Sequence, residues 1–217
     1  MSSTGTFVTA AHYAYVAART PGDDEFLINL KDAACAVGIP PIWISAEQAS
    51  LIQVLLKLSS AREVVEVGTL AGYSAITMAR GLPHDGRVRT IELEPTHADF
   101  AEEWIGRSDV ASKVELLRGV GADVLADLED GSADAVFLDA DKANYEVYLE
   151  HALRILRPGG LVMADNAFAF GKLFDASSEG GEIPAVRAFN DHVPTIEGLH
   201  AVIVPIGDGM WVGVREG

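Results

Sequence analysis

Four side chains stand out for the chemistry they can do together. Asp139, Asp165 and Asn166 are hard oxygen donors at the ends of two apolar β-rich runs. Such a set, with room for water and substrate, suits an octahedral hard cation such as Mg²⁺. No His or Cys pair joins them, so zinc fits less well. Read without a ligand, Asp165-Asn166 is a loop turn and Asp139 a helix cap. Lys142 lies three residues after Asp139. From the residues alone it is a solvated lysine at a helix start, pairing with Asp141. A second group begins at Glu66-Val-Gly-Thr-Leu-Ala-Gly-Tyr-Ser, with glycines at 68 and 72. It has neither the Gly-x-Gly-x-x-Gly spacing of dinucleotide sites nor a phosphate-holding Gly-Lys-Ser/Thr. An acid in this loop argues against pyrophosphate and for a cationic or amino-acid-like ligand. Glu92, about 20–26 residues on, stands where a ribose diol is held in doubly wound sheets. The ligand-free reading of Gly68 and Gly72 is a tight strand–helix turn.

These residues need a frame. Up to about residue 60 the pattern is helical: Phe26 to Val37, then a helix opened by Ser45 and Gln48 as a capping box. From residue 63 short β-rich and helical runs alternate. The strands are Glu63–Val67, Arg87–Glu92, Lys113–Leu117, Ala133–Asp139 and Leu161–Asp165. The helices run over Tyr73–Ala79, Pro95–Ile105, Ala122–Leu128 and Asn144–Leu156. That repetition predicts a parallel sheet covered on both faces. Ala201–Pro205, Gly207-Asp-Gly and Met210–Val214 predict a closing antiparallel hairpin. Residues 171–184 are rich in Gly, Ser and acids and read as a mobile loop. In such sheets ligands bind beyond the carboxyl ends of the strands, where both groups of residues fall.

The composition bounds the partners. The chain has 217 residues and 49% hydrophobic content, enough for one domain with a sizeable core. We expect residues 1–60 to form a helical extension of a 61–217 core. Its net charge of −16 argues against nucleic acid and against anionic membrane. The single cysteine, Cys35, fits a reducing, cytoplasmic setting and reads as a small buried hydrophobe. Met1 to Phe7 lacks the pattern of a signal peptide, and no apolar run reaches membrane-spanning length.

Glu66-Val-Gly-Thr-Leu-Ala-Gly-Tyr-Ser, Asp139-Ala-Asp-Lys-Ala-Asn-Tyr, Leu156-Arg-Pro-Gly-Gly and Ala164-Asp-Asn resemble the cation-dependent, S-adenosylmethionine-dependent O-methyltransferases. That family includes catechol and caffeoyl-CoA O-methyltransferases and small bacterial relatives. The resemblance runs from about Ile44 to the C-terminus. It implies a Rossmann-like class I methyltransferase fold: a seven-stranded, mostly parallel sheet with an antiparallel last strand and extra N-terminal helices. It also implies that Glu66, Gly68, Thr69 and Ser74 contact the amino-acid part of S-adenosylmethionine, with Ile44 near its methionine end. Glu92 would hold the ribose and Gly121 the adenine. Asp139, also next to the cofactor, would ligate the divalent cation with Asp165 and Asn166. Lys142 looks like the general base, its pKa depressed by the dication. The acceptor implied is a catechol-like diol, and the assembly a homodimer.

Two departures bear on these expectations. Gly119-Val-Gly-Ala lacks the acid often found after the third strand. Phe170 stands where plant members carry a polar substrate contact, so a more apolar acceptor pocket without coenzyme A recognition is expected. Trp43, Tyr13 and Tyr15 are candidate acceptor-facing aromatics. Other readings of the site are a metal-independent methyltransferase for a nitrogen or isolated hydroxyl, and a catalytically silent cofactor-binding domain.

Overall fold

The computed structural model describes residues 8–175, 177 and 180–217. The N-terminal residues read for a signal peptide, and positions 176, 178 and 179 of the glycine-rich loop, lie outside that range. Three helices come first: α1 (Ala10–Ala17), α2 (Glu25–Ala36) and α3 (Ala46–Leu58). Then β1 (Glu63–Val67), α4 (Tyr73–Gly81), β2 (Arg87–Glu92), α5 (Pro95–Arg107), β3 (Val114–Arg118) and α6 (Gly121–Ala126) alternate. They are followed by β4 (Ala133–Leu138), α7 (Tyr145–Ile155), β5 (Leu156–Ala164), α8 (Ile183–His192), β6 (Leu199–Val204) and β7 (Met210–Arg215).

The seven strands form one sheet in the order β3-β2-β1-β4-β5-β7-β6, parallel except for β7. Side chains on a strand alternate between faces, and here both faces are dry. Val64, Phe137 and Met163 join a core under α2 to α5. Their neighbours Val65, Val136, Leu138, Val162 and Ala164 join a second core under α6 to α8. Strands buried on both faces must be apolar throughout, which is why the runs read so plainly. No helix of the described residues is long and apolar enough to cross a membrane.

Three expectations are corrected. Cys35 is exposed, because the buried stripe of α2 is Leu27, Leu30 and Ala34, and Cys35 lies about 100° round the helix from Ala34. β5 begins at Leu156 instead of Leu161: Leu156 pairs with Ala133, and a register shift carries the chain past Pro158-Gly-Gly to Leu161 opposite Ala135. Residues 171–174 are turns, and the loop ends earlier than expected, at α8 from Ile183.

The amino ends of three strands are tied by one carboxylate. Asp134 accepts from Arg62 N at 2.7 Å, Glu63 N at 2.9 Å and Arg157 Nε at 2.6 Å. Burial works to raise its pKa, but the Glu63 N–H, Arg157 and the Arg62 N–H outweigh burial and hold it below 3.8. The stabilisation is therefore present above about pH 4 and lost as pH falls through the lower, folded value. We expect Asp134→Ala to cost about 1–3 kcal/mol at pH 7. Urea unfolding should show the gap to wild type closing as pH is lowered through the carboxylate range.

Candidate active site

Strand order reverses between β1 and β4, and a cleft of about 1020 Å³ opens there beyond the strands' carboxyl ends. The sheet's hydrogen bonding continues past each strand into the site. Gly68 N donates to Ile91 O at 3.0 Å, Asp139 N to Val67 O at 2.9 Å, and Asp165 N to Leu138 O at 3.0 Å. Each site residue is thus the first residue off a strand, held by its neighbour. Gly68 has φ +101, and a Cβ there would sit 2.0 Å from Asp139 O. Only glycine lets the first loop cross the end of β4.

Ile44, Gly68, Thr69, Ser74, Glu92, Gly121, Asp139, Lys142, Asp165 and Asn166 all line this cleft. Glu66 does not: it is fully buried at the base of the loop. Thr90 Oγ1 donates to Glu66 Oε2 at 2.6 Å, so Thr69, 2.6 Å from Thr90, donates to Thr90. Glu66 Oε1 has no hydrogen-bond partner among the described residues. Burial pushes the Glu66 carboxyl up to about 8. The Ser74 and Thr90 hydroxyls oppose the shift, and Asp139 and Glu92 add to it. An orphaned buried acceptor of this kind fits a cationic, N–H-bearing ligand. Glu92 accepts from Leu70 N at 2.8 Å and Glu94 N at 2.9 Å, one bond to each oxygen. A second lone pair on each oxygen remains for a diol.

Asp139, Lys142, Asp165 and Asn166 meet at one end of the cleft. Lys142 is 4% exposed, and its Nζ lies 3.2 Å from Asp139 Oδ1. The solvated pairing with Asp141 is not what forms. Asp141 instead accepts from Tyr148 OH and Asn144 Nδ2. Lys142 Nζ also donates to Tyr145 OH, which donates to Leu138 O at 3.0 Å. Burial holds the Tyr145 hydroxyl well above its ordinary pKa, so it stays protonated and keeps its oxygen facing the lysine. Burial also raises Asp139, against the pull of Lys142. Asp165 is pushed up to about 7 by burial and by Asp139.

Among the described residues no three His, Cys, Asp or Glu are arranged to hold a metal ion. The candidate set is two carboxylates and an amide. Asn166 Nδ2 donates to Asp208 Oδ2 at 3.2 Å, which leaves Asn166 Oδ1 as an acceptor. Two carboxylates, one of which raises the other's proton affinity, beside a neutral oxygen, match the donor chemistry of a hard dication.

Several cleft residues carried no functional signal in the sequence. Gln48 is buried and donates to Asp165 Oδ1, though its spacing showed only a capping box. Glu182 accepts from Lys142 N at 2.9 Å across 40 residues. Of the three candidate aromatics, Trp43 lines the cleft, as do Ile42 and Phe170. Tyr13 and Tyr15 lie on α1 and are not among its lining residues; Tyr15 is exposed under the Arg19 guanidinium.

The raised Glu66 value has a signed consequence. Between pH 4.5 and about 8 the folded chain keeps a proton that the unfolded chain has released. Ligand-free stability must therefore fall as pH rises across that window. Glu66→Gln should flatten the slope and exceed wild type in stability at pH 8. Urea unfolding between pH 5 and pH 8 reads this. Some slope should remain, because Asp165 acts in the same direction.

The model of the O-methyltransferase family matches residues 17–216. A catechol O-methyltransferase of Niastella koreensis is 38% identical over 197 residues, which is 89% of this chain and 87% of that protein. A catechol O-methyltransferase of Mycobacterium tuberculosis is 38% identical over 166 residues, 76% of each chain. The crystal structure of an O-methyltransferase from Bacillus cereus in complex with SAH superposes with a TM-score of 0.86 at 31% identity, covering 95% of this chain and 97% of that one. The O-methyltransferase TomG from Streptomyces achromogenes, in complex with SAM, gives 0.85 at 31% identity, covering 95% and 96%. The seven-stranded sheet with β7 reversed is thus a Rossmann-like methyltransferase sheet, and the chain belongs to the O-methyltransferase family.

Proposed function

We propose that this enzyme transfers the methyl group of S-adenosylmethionine to one hydroxyl of a catechol-like diol, with a divalent cation, Mg²⁺ above others, at Asp139, Asp165 and Asn166. The observation that carries the reading is the meeting of these three oxygen donors with Lys142 at one end of the cleft. Glu66, Gly68, Thr69, Ser74, Glu92 and Gly121 line or underlie the other part, which we assign to the cofactor. The relatives named catechol O-methyltransferase support the acceptor class.

When bound, the cation would supply Lewis acidity, lowering the pKa of a hydroxyl beside it. The chain's own residues do the rest. Lys142 Nζ accepts the proton of the attacking hydroxyl, and Tyr145 and Asp139 fix where that nitrogen points. Trp43, Ile42 and Phe170 give the acceptor an apolar wall, which favours a small ring over a charged carrier. Holding the attacking oxygen in line with the methyl group contributes most of the acceleration in such a transfer.

Labelled S-adenosylmethionine and a panel of diols and single phenols, with and without EDTA, test this. We expect methylation of diols only, lost in EDTA and restored by Mg²⁺. Asp165→Ala should abolish the metal-dependent rate. Lys142→Ala should lower kcat by roughly 10²–10⁴-fold. Chelator-insensitive activity on an acceptor without a diol would instead establish the metal-independent reading.

We also propose a homodimer, built on the apolar side chains that α1 to α3 leave exposed, among them Tyr15, Val16, Ile28, Val54 and Leu58. Light scattering at micromolar concentration should read twice the 23.0 kDa chain mass. The monomer mass would overturn this. A cytoplasmic setting fits the lone free thiol.

A further inference from the structure

The turn between β6 and β7, Gly207-Asp208-Gly209, supplies no group to the reaction proposed above, yet it touches both sides of the cation site. The Asp208 carboxylate takes three N–H bonds from the segment after β5. Oδ2 accepts from Asn166 Nδ2 at 3.2 Å and Phe170 N at 2.7 Å, and Oδ1 accepts from Gly171 N at 3.1 Å. Backbone bonds close the same contact: Phe168 N donates to Asp208 O at 2.8 Å, and Ala167 N to Gly209 O at 2.9 Å. The anchored segment is strained. Asn166, Ala169 and Phe170 have φ of 65°, 54° and 59°, and such backbone persists only where its surroundings over-determine it.

On the other side, Gly207 has φ +55, and a Cβ there would lie 2.1 Å from Gln48 Oε1. Gln48 is 3% exposed. Its Oε1 accepts from Ser45 N at 3.0 Å, so its Nε2 must face outward, and it donates to Asp165 Oδ1.

We propose that this turn is a positioning element for the cation site, acting through Asp208 on Asn166 and through Gln48 on Asp165. An ionised carboxylate can only accept. Asp208 therefore selects the amide orientation that turns Asn166 Nδ2 away and leaves Oδ1 for a cation. Gln48, its carbonyl already engaged, holds one Asp165 oxygen with an N–H and so fixes how that carboxylate is turned. Neither Asp208 nor Gln48 need touch the ion. The inference rests on the cation reading given above.

The test uses the full chain, titrated separately with Mn²⁺ (followed by electron paramagnetic resonance) and with S-adenosylhomocysteine (followed by calorimetry). Partners of ligating groups typically carry 10–100-fold in metal affinity. We expect Asp208→Ala to weaken Mn²⁺ binding by about that factor, with S-adenosylhomocysteine affinity within about twofold of wild type. Asp208→Asn, which keeps one accepting oxygen, should recover part of the loss. Wild-type Mn²⁺ affinity in Asp208→Ala overturns the proposal. If Asp208→Ala loses both ligands, Asp208→Asn and Gln48→Leu decide it. Weakened Mn²⁺ with the nucleoside retained supports the proposal, while unchanged Mn²⁺, or loss of both ligands again, overturns it. A wild-type chain that binds no Mn²⁺ refutes the cation reading itself, a result separable from the others.

Discussion

The constraint on which the structure turns is the crowding of carboxylates where the parallel sheet ends. Glu66 is fully buried, Asp165 is 6% exposed, and Asp139 lies between them in the sheet order. Burying one ionised carboxylate is expensive, and like charges at close range raise the cost. The ligand-free chain meets it by shifting proton affinities upward at all three positions. It also aims nearby donors at them: Thr90 at Glu66, Lys142 at Asp139 and Gln48 at Asp165. One acceptor, Glu66 Oε1, is still unmatched. A site that holds its carboxylates partly by keeping protons on them is built to be completed by something positive.

The sheet makes the crowding unavoidable. Parallel strands all deliver their carboxyl ends to one rim, and the reversal of order between β1 and β4 parts the flanking loops there. The ladder bonds that Gly68, Asp139 and Asp165 make with neighbouring strands fix the three loop starts before any side chain is considered. The close pass of Gly68 against Asp139 O then sets the relative height of the first and fourth loops. Side-chain rotamers refine a placement that backbone hydrogen bonds have already made.

How much of this was legible follows from the range of each signal. Strands buried on both faces read as apolar runs, so β1 and β4 were visible, β2 by its place in the alternation, and with them Glu66, Glu92 and Asp139, each at or near a strand's end. Only the family resemblance gave Lys142 a role, because a lysine after Asp-x-Asp looks solvated until α7 and Tyr145 close over it. Glu182 was hidden, since residues 171–184 have no periodicity and their end meets Lys142 only in the folded chain. Gln48 and Asp208 were visible but under-read. A capping box and a Gly-Asp-Gly turn each explain their residues locally, and a local explanation gives no reason to look for a distant partner. Cys35 failed for a different reason: alanine neighbours suggest burial, but a helix buries by angle, and one residue is enough to leave the stripe.

The same logic separates the two halves of the cleft. On the side built on β1 and β2 the loop start is backbone-set and Gly68 is a steric necessity, so that half is rigid by construction. On the other side the wall is made by Trp43, Ile42 and Phe170, side chains on connecting segments outside the sheet. Phe170 sits at positive φ and is 48% exposed, held through its own N–H by Asp208. Loops on a rigid scaffold are where specificity varies at least cost to the fold. The anchoring at Asp208 belongs to this second half. It fixes Asn166, which we assign to the cation, and Phe170, on the apolar wall, through one carboxylate. A change in that turn must therefore act on Asn166 and Phe170 together, while the end of the cleft built on β1 and β2 stays as it is.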